Sequence, residues 1–346
     1  MKILLIIGDI TLKGGAERVV SNLANLFYDK GLDIEILSFY KENEKPYFFI
    51  NPNIKISFFH QKGHDEIKKG FYKFVYKYYE SFVIKNKYKD KDYIIYNNCT
   101  QFPFFKNKNT RYLKIVHLRF KRLKRDQFFD TLIILSFKEL NIYQKYYKDI
   151  RVIPNFLSSL PKENANLEQK TILSIGRMTN EDQKGFFRLL DIWKFCQKND
   201  KYKEWKLYIV GEGEAREGLL DKIKKEKIEN VMIKPFVKEI EKEYLSASIY
   251  VMASYFEGLP MSLLEASSFA LPCIAFDINS GPSDIIEDEK SGFLVKDGDL
   301  EKFALKLRLL MDDSNLRKNM GEKAKELIKL KFSKEAVFKK WQENLS

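Results

Sequence analysis

Ile3-Leu4-Leu5-Ile6-Ile7-Gly8-Asp9, then Lys13-Gly14-Gly15, then apolar residues at Ala16, Val19, Val20, Leu23, Ala24 and Phe27: this opening decides the fold. The unbroken aliphatic run has strand length and reads as a buried strand, whereas the later apolar positions recur at helical spacing and stop at Gly31. Strand-like runs follow at 34–37, 54–59, 93–96, 112–116 and 132–135, separated by polar or helical stretches. After Pro154-Asn155 and a polar stretch through Gln169 the pattern restarts, with runs at 171–175, 207–210, 231–233, 249–253 and 273–276. Strand-helix alternation requires parallel sheets with crossover helices. The expected architecture is therefore α/β, with two Rossmann-like doubly wound domains joined near Pro154. Ligands of such sheets bind at the carboxyl ends of the strands, so residues directly after strands carry the functional weight.

A chain of 346 residues, 45% hydrophobic, has the length of two ordinary domains. The opening run is too short for a signal peptide or a membrane span, and no other apolar stretch approaches the ~20 residues that spanning needs. A soluble or peripherally bound protein is expected. Cys99, Cys196 and Cys273 lie far apart and lack metal-ligand spacing, which fits a reducing cytoplasm. The formal charge of +13 favours an anionic partner without choosing among nucleic acid, phospholipid and a phosphorylated substrate.

Gly14-Gly15-Ala16-Glu17-Arg18 joins a loop to a helix start, where glycines admit a ligand to the backbone and helix amides favour anionic oxygen. A tight turn accounts for it equally well. In the second half, Ile175-Gly176-Arg177 ends one strand and Gln183-Lys184-Gly185 opens the next helix, so two cations flank one helix start. Positioned Arg and Lys can stabilise charge growing on a pyrophosphate leaving group without a metal. Val210-Gly211-Glu212-Gly213 again sets glycines after a strand, turning closely beside a ligand or a neighbouring helix. The most specific segment is Phe256-Glu257-Gly258-Leu259-Pro260-Met261, followed by Leu264-Glu265-Ala266. Pro260 suits a first helical turn, which leaves Glu257 in the loop and Glu265 about two turns along. One carboxylate can hold a sugar and the other a ribose through paired hydroxyl contacts. The surroundings of Glu265 are too apolar for an exposed helix face, so that acid needs a partner.

Taken together across almost the whole chain, these segments resemble the family-4 retaining glycosyltransferases of the GT-B fold. That resemblance implies an acceptor-binding first domain (1–155), a nucleotide-sugar-binding second domain (156–331), a cleft between them, and a C-terminal helix (332–346) packing back on the first domain through Phe338 and Trp341. It also assigns roles. Arg177 and Lys184 hold the diphosphate, Glu265 the ribose hydroxyls and Glu257 the transferred sugar, while the backbone at Gly258-Leu259-Pro260-Met261-Ser262 completes the donor contacts. Gly15, with Gly14, approaches the diphosphate from the other domain. His117, after the run Tyr112-Leu113-Lys114-Ile115-Val116, matches the family's histidine facing the donor sugar. The spacing from Arg177 to Lys184 is longer than in many relatives. Ser280-Gly281-Pro282 and Ser291-Gly292-Phe293 are similar to the subgroup that builds bacterial surface polysaccharide, for which UDP-hexoses are the usual donors. Same-face attack, with the leaving phosphate helping to deprotonate the acceptor, is the mechanism that the resemblance carries.

Asp90-Lys91-Asp92 and Asp297-Gly298-Asp299 spell an acidic pair used by metal-dependent transferases of another fold, but both sit in charged turns and read as surface acids. No metal and no bound cofactor are expected, the UDP-sugar being a co-substrate. Residues 67–91 read as an amphipathic helix whose face Phe71, Phe74, Val75, Tyr78, Tyr79 and Phe82 packs on the first domain; a membrane-surface helix is the alternative, and a nucleic-acid site is disfavoured. Arg119, Lys121, Arg122, Lys124 and Arg125 face either solvent or an anionic lipid-linked acceptor and its headgroups. The functional expectation is hexosyl transfer from a nucleotide sugar to a glycan, lipid-linked, in the cytoplasm or at the inner face of its membrane. An epimerase or soluble-acceptor transferase of the same fold, and a non-catalytic nucleotide-sugar-binding partner, stay open as alternatives.

Overall fold

The computed structural model describes residues 1–67, 73–237 and 239–345. The chain forms two compact units, Met1–Asn155 with Phe338–Ser346, and Phe156–Val337. The first contains β1 (Lys2–Ile7), β2 (Asp33–Ser38), β3 (Lys55–Phe58), β4 (Tyr93–Asn97), β5 (Arg111–Val116), β6 (Thr131–Ile134) and β7 (Ile150–Val152). They lie side by side in the order β3-β2-β1-β4-β5-β6-β7, every pair parallel. The second contains β8 (Thr171–Ile175), β9 (Lys206–Val210), β10 (Val231–Lys234), β11 (Ile249–Met252), β12 (Cys273–Asp277) and β13 (Gly292–Lys296), in the order β10-β9-β8-β11-β12-β13, again all parallel.

Helices cover both faces of a parallel sheet, so its central strands carry continuous rather than alternating apolar runs. Ile3 through Ile7 and Ile249 through Val251 are completely buried, as that requires. The helices are α1 (Gly15–Asp29), α2 (Lys73–Lys87) and α3 (Leu140–Gln144) in the first unit, then α4 (Phe186–Gln197), α5 (Arg216–Lys225), α6 (Ile240–Leu245), α7 (Met261–Ser268), α8 (Pro282–Ile285), α9 (Leu300–Asp312) and α10 (Ser314–Phe332). α11 (Lys334–Asn344) begins in the second unit and enters the first at Phe338. In each sheet the strand order reverses beside the first strand, between β1 and β4 and between β8 and β11. The loops leaving those strands diverge to opposite faces and open a crevice at the switch point.

Two strands were not foreseen. β7 is a three-residue edge strand with Arg151 exposed at its centre, and β13 is a short run with glycine at its start. The helix expected over 67–91 is a correction of another kind. α2 is shorter, Phe71 lies outside the described residues, and the face expected to pack inward does not: Val75, Tyr78, Tyr79 and Phe82 are exposed, while Glu80, Ser81 and Ile84 are buried. Spacing alone reports that the apolar residues share a face, not which way the face points.

The C-terminal residues complete the first core. Trp341 is buried with its ring edge-on to Phe27 at 5.3 Å, and the Tyr93 hydroxyl donates to the Leu345 carbonyl at 2.9 Å. Trp341→Ala should therefore lower stability by about 3–5 kcal/mol, as for large aromatic truncations in a core. Urea unfolding followed by circular dichroism measures this, and a loss under about 1 kcal/mol would contradict the packing described.

Candidate active site

Lys184 owes its position to backbone ties between the loops after β8 and β11. The Tyr255 amide donates to the Gln183 carbonyl at 2.9 Å, and the Gln183 side-chain amide donates to the Phe256 carbonyl at 3.1 Å. Asp182 accepts from the amides of Phe186 at 2.8 Å and Phe187 at 3.3 Å, anchoring the start of α4. Burial raises the Asp182 pKa, partly offset by those amides. Gly185 then turns with φ of 66°, where a methyl group would come within 1.9 Å of the Ala253 carbonyl oxygen, so no larger residue fits. The lysine stem crosses Gly176, whose own Cβ would stand 2.7 Å from Lys184 Cγ. At its end Nζ donates to Glu257 Oε1 at 2.7 Å, with the carboxylate buried and the ammonium largely so.

The segment after Glu257 is clamped from the other side. Ser280 Oγ donates to the Glu257 carbonyl at 2.5 Å. Gly281, with φ of 95°, leaves no room for a side chain, since a Cβ would lie 2.6 Å from Pro260 Cδ and 2.8 Å from the Gly258 carbonyl oxygen. Gly258, Leu259 and Pro260 are buried, so what they offer a ligand is backbone; Pro260 precedes α7, which starts at Met261. Glu265 is just over one turn into α7, nearer its start than expected. Its partner is Tyr244, a fully buried residue of α6 whose hydroxyl donates to Glu265 Oε2 at 2.8 Å and whose ring stacks on Phe269. The sequence required a partner there without naming it.

Not every expected residue joins this group. Arg177 is 76% exposed and reaches Glu214 at 3.7 Å, whereas Lys184 is largely buried against Glu257. Gly211 and Gly213 are required by neighbouring backbone: Cβ atoms there would fall 1.9 Å from the Gly176 carbonyl oxygen and 2.1 Å from that of Met178. Asp297 pairs with Arg188 at 2.7 Å, Asp299 caps α9, and Asp90 and Asp92 both bind Lys2, so these acids hold structure. Arg188 itself was missed. It is buried, donates to the Ala253 carbonyl at 2.5 Å and also to that of Ser254, and lies over the rings of Tyr255 and Phe276. The available signal was a lone charge in an otherwise apolar helix start, Phe186-Phe187-Arg188-Leu189-Leu190.

In the first unit, the loop from β1 to α1 is held by Asp9, which accepts from the Thr11 amide at 2.8 Å and hydroxyl at 2.6 Å and from the Glu42 amide at 2.8 Å. Gly14 caps α1, and a Cβ there would meet Glu17 Oε2 at 2.1 Å. Glu17 is buried, and that burial raises its pKa; Asp9 pushes the same way, against hydrogen bonds from its own backbone and from Asn98. Gly15 differs: it is exposed and nothing lies near where its Cβ would be, which leaves the helix start open to a ligand. His117 follows β5, and its Nε2 stands 3.1 Å from Asn97 Oδ1. Asn97 donates its own amide to the Ile95 carbonyl at 3.2 Å, so its oxygen is the acceptor and Nε2 carries the proton. Burial, with some help from the Lys114 ammonium, lowers the His117 pKa to about 4, keeping the ring neutral at pH 7. Among the basic residues of 119–125, Arg119, Lys121, Arg122 and Lys124 are exposed, whereas Arg125 is partly buried.

Comparison with known proteins bears on the family and the fold. Residues 157–327 match the family model of glycosyl transferases, group 1. An uncharacterized glycosyltransferase of Haemophilus influenzae is 31% identical over 360 residues, covering 99% of each chain. An alpha-1,4-N-acetyl-D-galactosaminyltransferase of Campylobacter jejuni, named for an undecaprenol-linked GalNAc acceptor, is 25% identical over 95% of this chain and 94% of its own. A crystal structure of S. aureus TarM, a mutant in complex with fondaparinux, alpha-GlcNAc-glycerol and UDP, superposes with a TM-score of 0.80 over 100% of both chains at 18% identity, a likeness of fold. With two parallel doubly wound units, the C-terminal return and a relative matched end to end, the chain has the GT-B fold and belongs to the group 1 glycosyl transferases of family-4 type.

Proposed function

We propose that the protein transfers a hexose or N-acetylhexosamine from a UDP-sugar to a hydroxyl of a glycan, with retention of configuration and without a metal ion, in the assembly of capsule, lipopolysaccharide or exopolysaccharide. The observation that carries this reading is the Lys184–Glu257 pair, held beside the switch point of the second sheet. Before donor arrives, each group neutralises the other, and both are already desolvated. A sugar diphosphate offers both better partners at once: anionic oxygen for Lys184 and hydroxyl donors for Glu257. Arg177 swings easily toward the diphosphate, because its exposed 3.7 Å pair with Glu214 is weak. Tyr244 keeps one oxygen of Glu265 occupied, orienting the carboxylate for the ribose hydroxyls. Neutral His117 accepts a sugar hydroxyl through its second ring nitrogen. UDP in the TarM complex and the undecaprenol-linked acceptor in the name of the Campylobacter relative support the choice of nucleotide and a lipid-linked acceptor. The proposed donor and acceptor favour a cytoplasmic location.

A panel of nucleotide sugars, scored for transfer and for hydrolysis with purified protein, tests the reading directly; turnover of none of them defeats it. Lys184→Ala and Arg177→Ala should each lower turnover by about 100-fold or more. Loss of the exposed Arg177 should leave the unfolding midpoint nearly unchanged, whereas Lys184→Ala also costs some stability by leaving the buried Glu257 carboxylate unpaired, a loss smaller than the loss of turnover. Near-normal turnover in both would remove the diphosphate clamp.

Chelation should leave initial rates unaltered, since cationic side chains neutralise the leaving group and the acidic pairs at 90–92 and 297–299 are engaged in structure. A requirement for added magnesium or manganese would overturn this.

The pH profile of kcat/KM should show no inflection near 6.5 that His117→Ala abolishes, because the native ring protonates only near pH 4. The unfolded chain takes up that proton near pH 6.5, so the same residue should cost stability progressively as pH falls from about 6.5 to 4. Unfolding midpoints of wild type and His117→Ala across that range measure the difference.

A further inference from the structure

The outward face of α2 is the least expected surface of the molecule. Val75, Tyr79 and Phe82 are 64%, 53% and 51% exposed, and the acid of this helix, Glu80, points inward and is buried. A helix that buries its carboxylate and exposes its rings is inverted relative to a solvated one. Its rings are continuous with others. Tyr78 meets Phe104 edge-on at 4.6 Å, Phe82 meets Phe105 at 6.0 Å, and Phe104 and Phe105 are themselves exposed.

This aromatic ridge runs into the basic stretch. Phe128 lies 5.1 Å from Phe102 and 5.5 Å from Phe104, and it ends the 3-10 turn Lys124–Phe128 that closes the run of cations. Residues far apart in sequence thus form one aromatic surface, and the chain that reaches it at Phe128 carries exposed Lys121, Arg122 and Lys124 a few residues before, Arg122 lying over the Tyr146 ring. The acid within that turn does not cancel the charge, since Asp126 is buried against Lys114 at 2.5 Å, and exposed Asp130 is paired with Lys106.

We infer that this surface seats the first unit on an anionic bilayer, the cations engaging headgroups and the rings of α2 entering the interface. Tyr and Phe prefer the headgroup boundary, and basic residues beside them select anionic lipid. A second copy of the same face would set like charges against each other in a protein of net charge +13. No described helix is long and apolar enough to cross a membrane, so attachment would be peripheral.

Vesicle binding tests this without donor or acceptor, so its outcome is separate from that of the transfer reading. Wild type should sediment with phosphatidylglycerol vesicles and far less with phosphatidylcholine, and added salt should weaken the attachment without abolishing it. Tyr79→Ser with Phe82→Ser should weaken partitioning by about tenfold or more at high salt, where buried apolar area carries the remainder. Neutralising Lys121, Arg122 and Lys124 should remove the preference for anionic lipid. Tyr79→Trp supplies a probe of depth, since Trp193, Trp205 and Trp341 are buried and give a constant background. The new indole should shift to the blue and be quenched by brominated lipid. Absence of vesicle binding, an unshifted indole, or undiminished binding of the double serine variant overturns the inference. So does a dimer in light scattering that Phe82→Ser dissolves while vesicles capture nothing.

Discussion

Gly185 and Arg188 close on one carbonyl oxygen, that of Ala253, and the second unit's site depends on that contact. The glycine lets α4 begin against the end of β11; the arginine three residues later satisfies the carbonyls that the strand leaves unpaired as it ends. Buried backbone oxygens without partners are costly, and a buried guanidinium without acceptors is more so, which makes the two groups mutually obligatory. With that junction fixed, the loops after β8 and β11 share backbone hydrogen bonds, and Lys184 has little choice but to meet Glu257.

On the proposed function, the resulting ion pair is preorganised for a donor. Its members have already lost much of their hydration, so a donor that replaces both contacts does not have to strip water from either. Arg177 is the contrast: hydrated, long and loosely paired, it can follow a charge that moves. A rigid cation and a mobile one suit a reaction whose leaving group gains charge as the bond to the sugar lengthens.

The parallel sheets were legible because strands buried on both faces are apolar nearly throughout, and β1 and β11 announce themselves in that way. Edge strands such as β7 bury less and left little trace. Glu257 and Glu265 were visible by motif and Lys184 by its place before a helix. Arg188, Tyr244 and Asp182 act through contacts with residues distant in sequence or through a local turn, and one-dimensional spacing carries no record of such partners. The same limit applies to Gly211 and Gly213, conspicuous as glycines, whose crowding against the carbonyls of a neighbouring loop no spacing records. For α2 the pattern was right about amphipathicity and silent on orientation, because inward and outward faces differ only in what lies against them.

The return of α11 to the first unit also orders events during synthesis. That unit is interrupted in sequence by the whole of the second, and the ring that fills its space beside Phe27 belongs to Trp341. While the ribosome is still making the second unit, the seven-stranded sheet can assemble but its core remains unsealed at that position, exposing apolar surface. The second unit, continuous from Phe156 to Val337, has no such wait. Folding in the cell would then finish where it started, with the amino-terminal half competent last although it is made first.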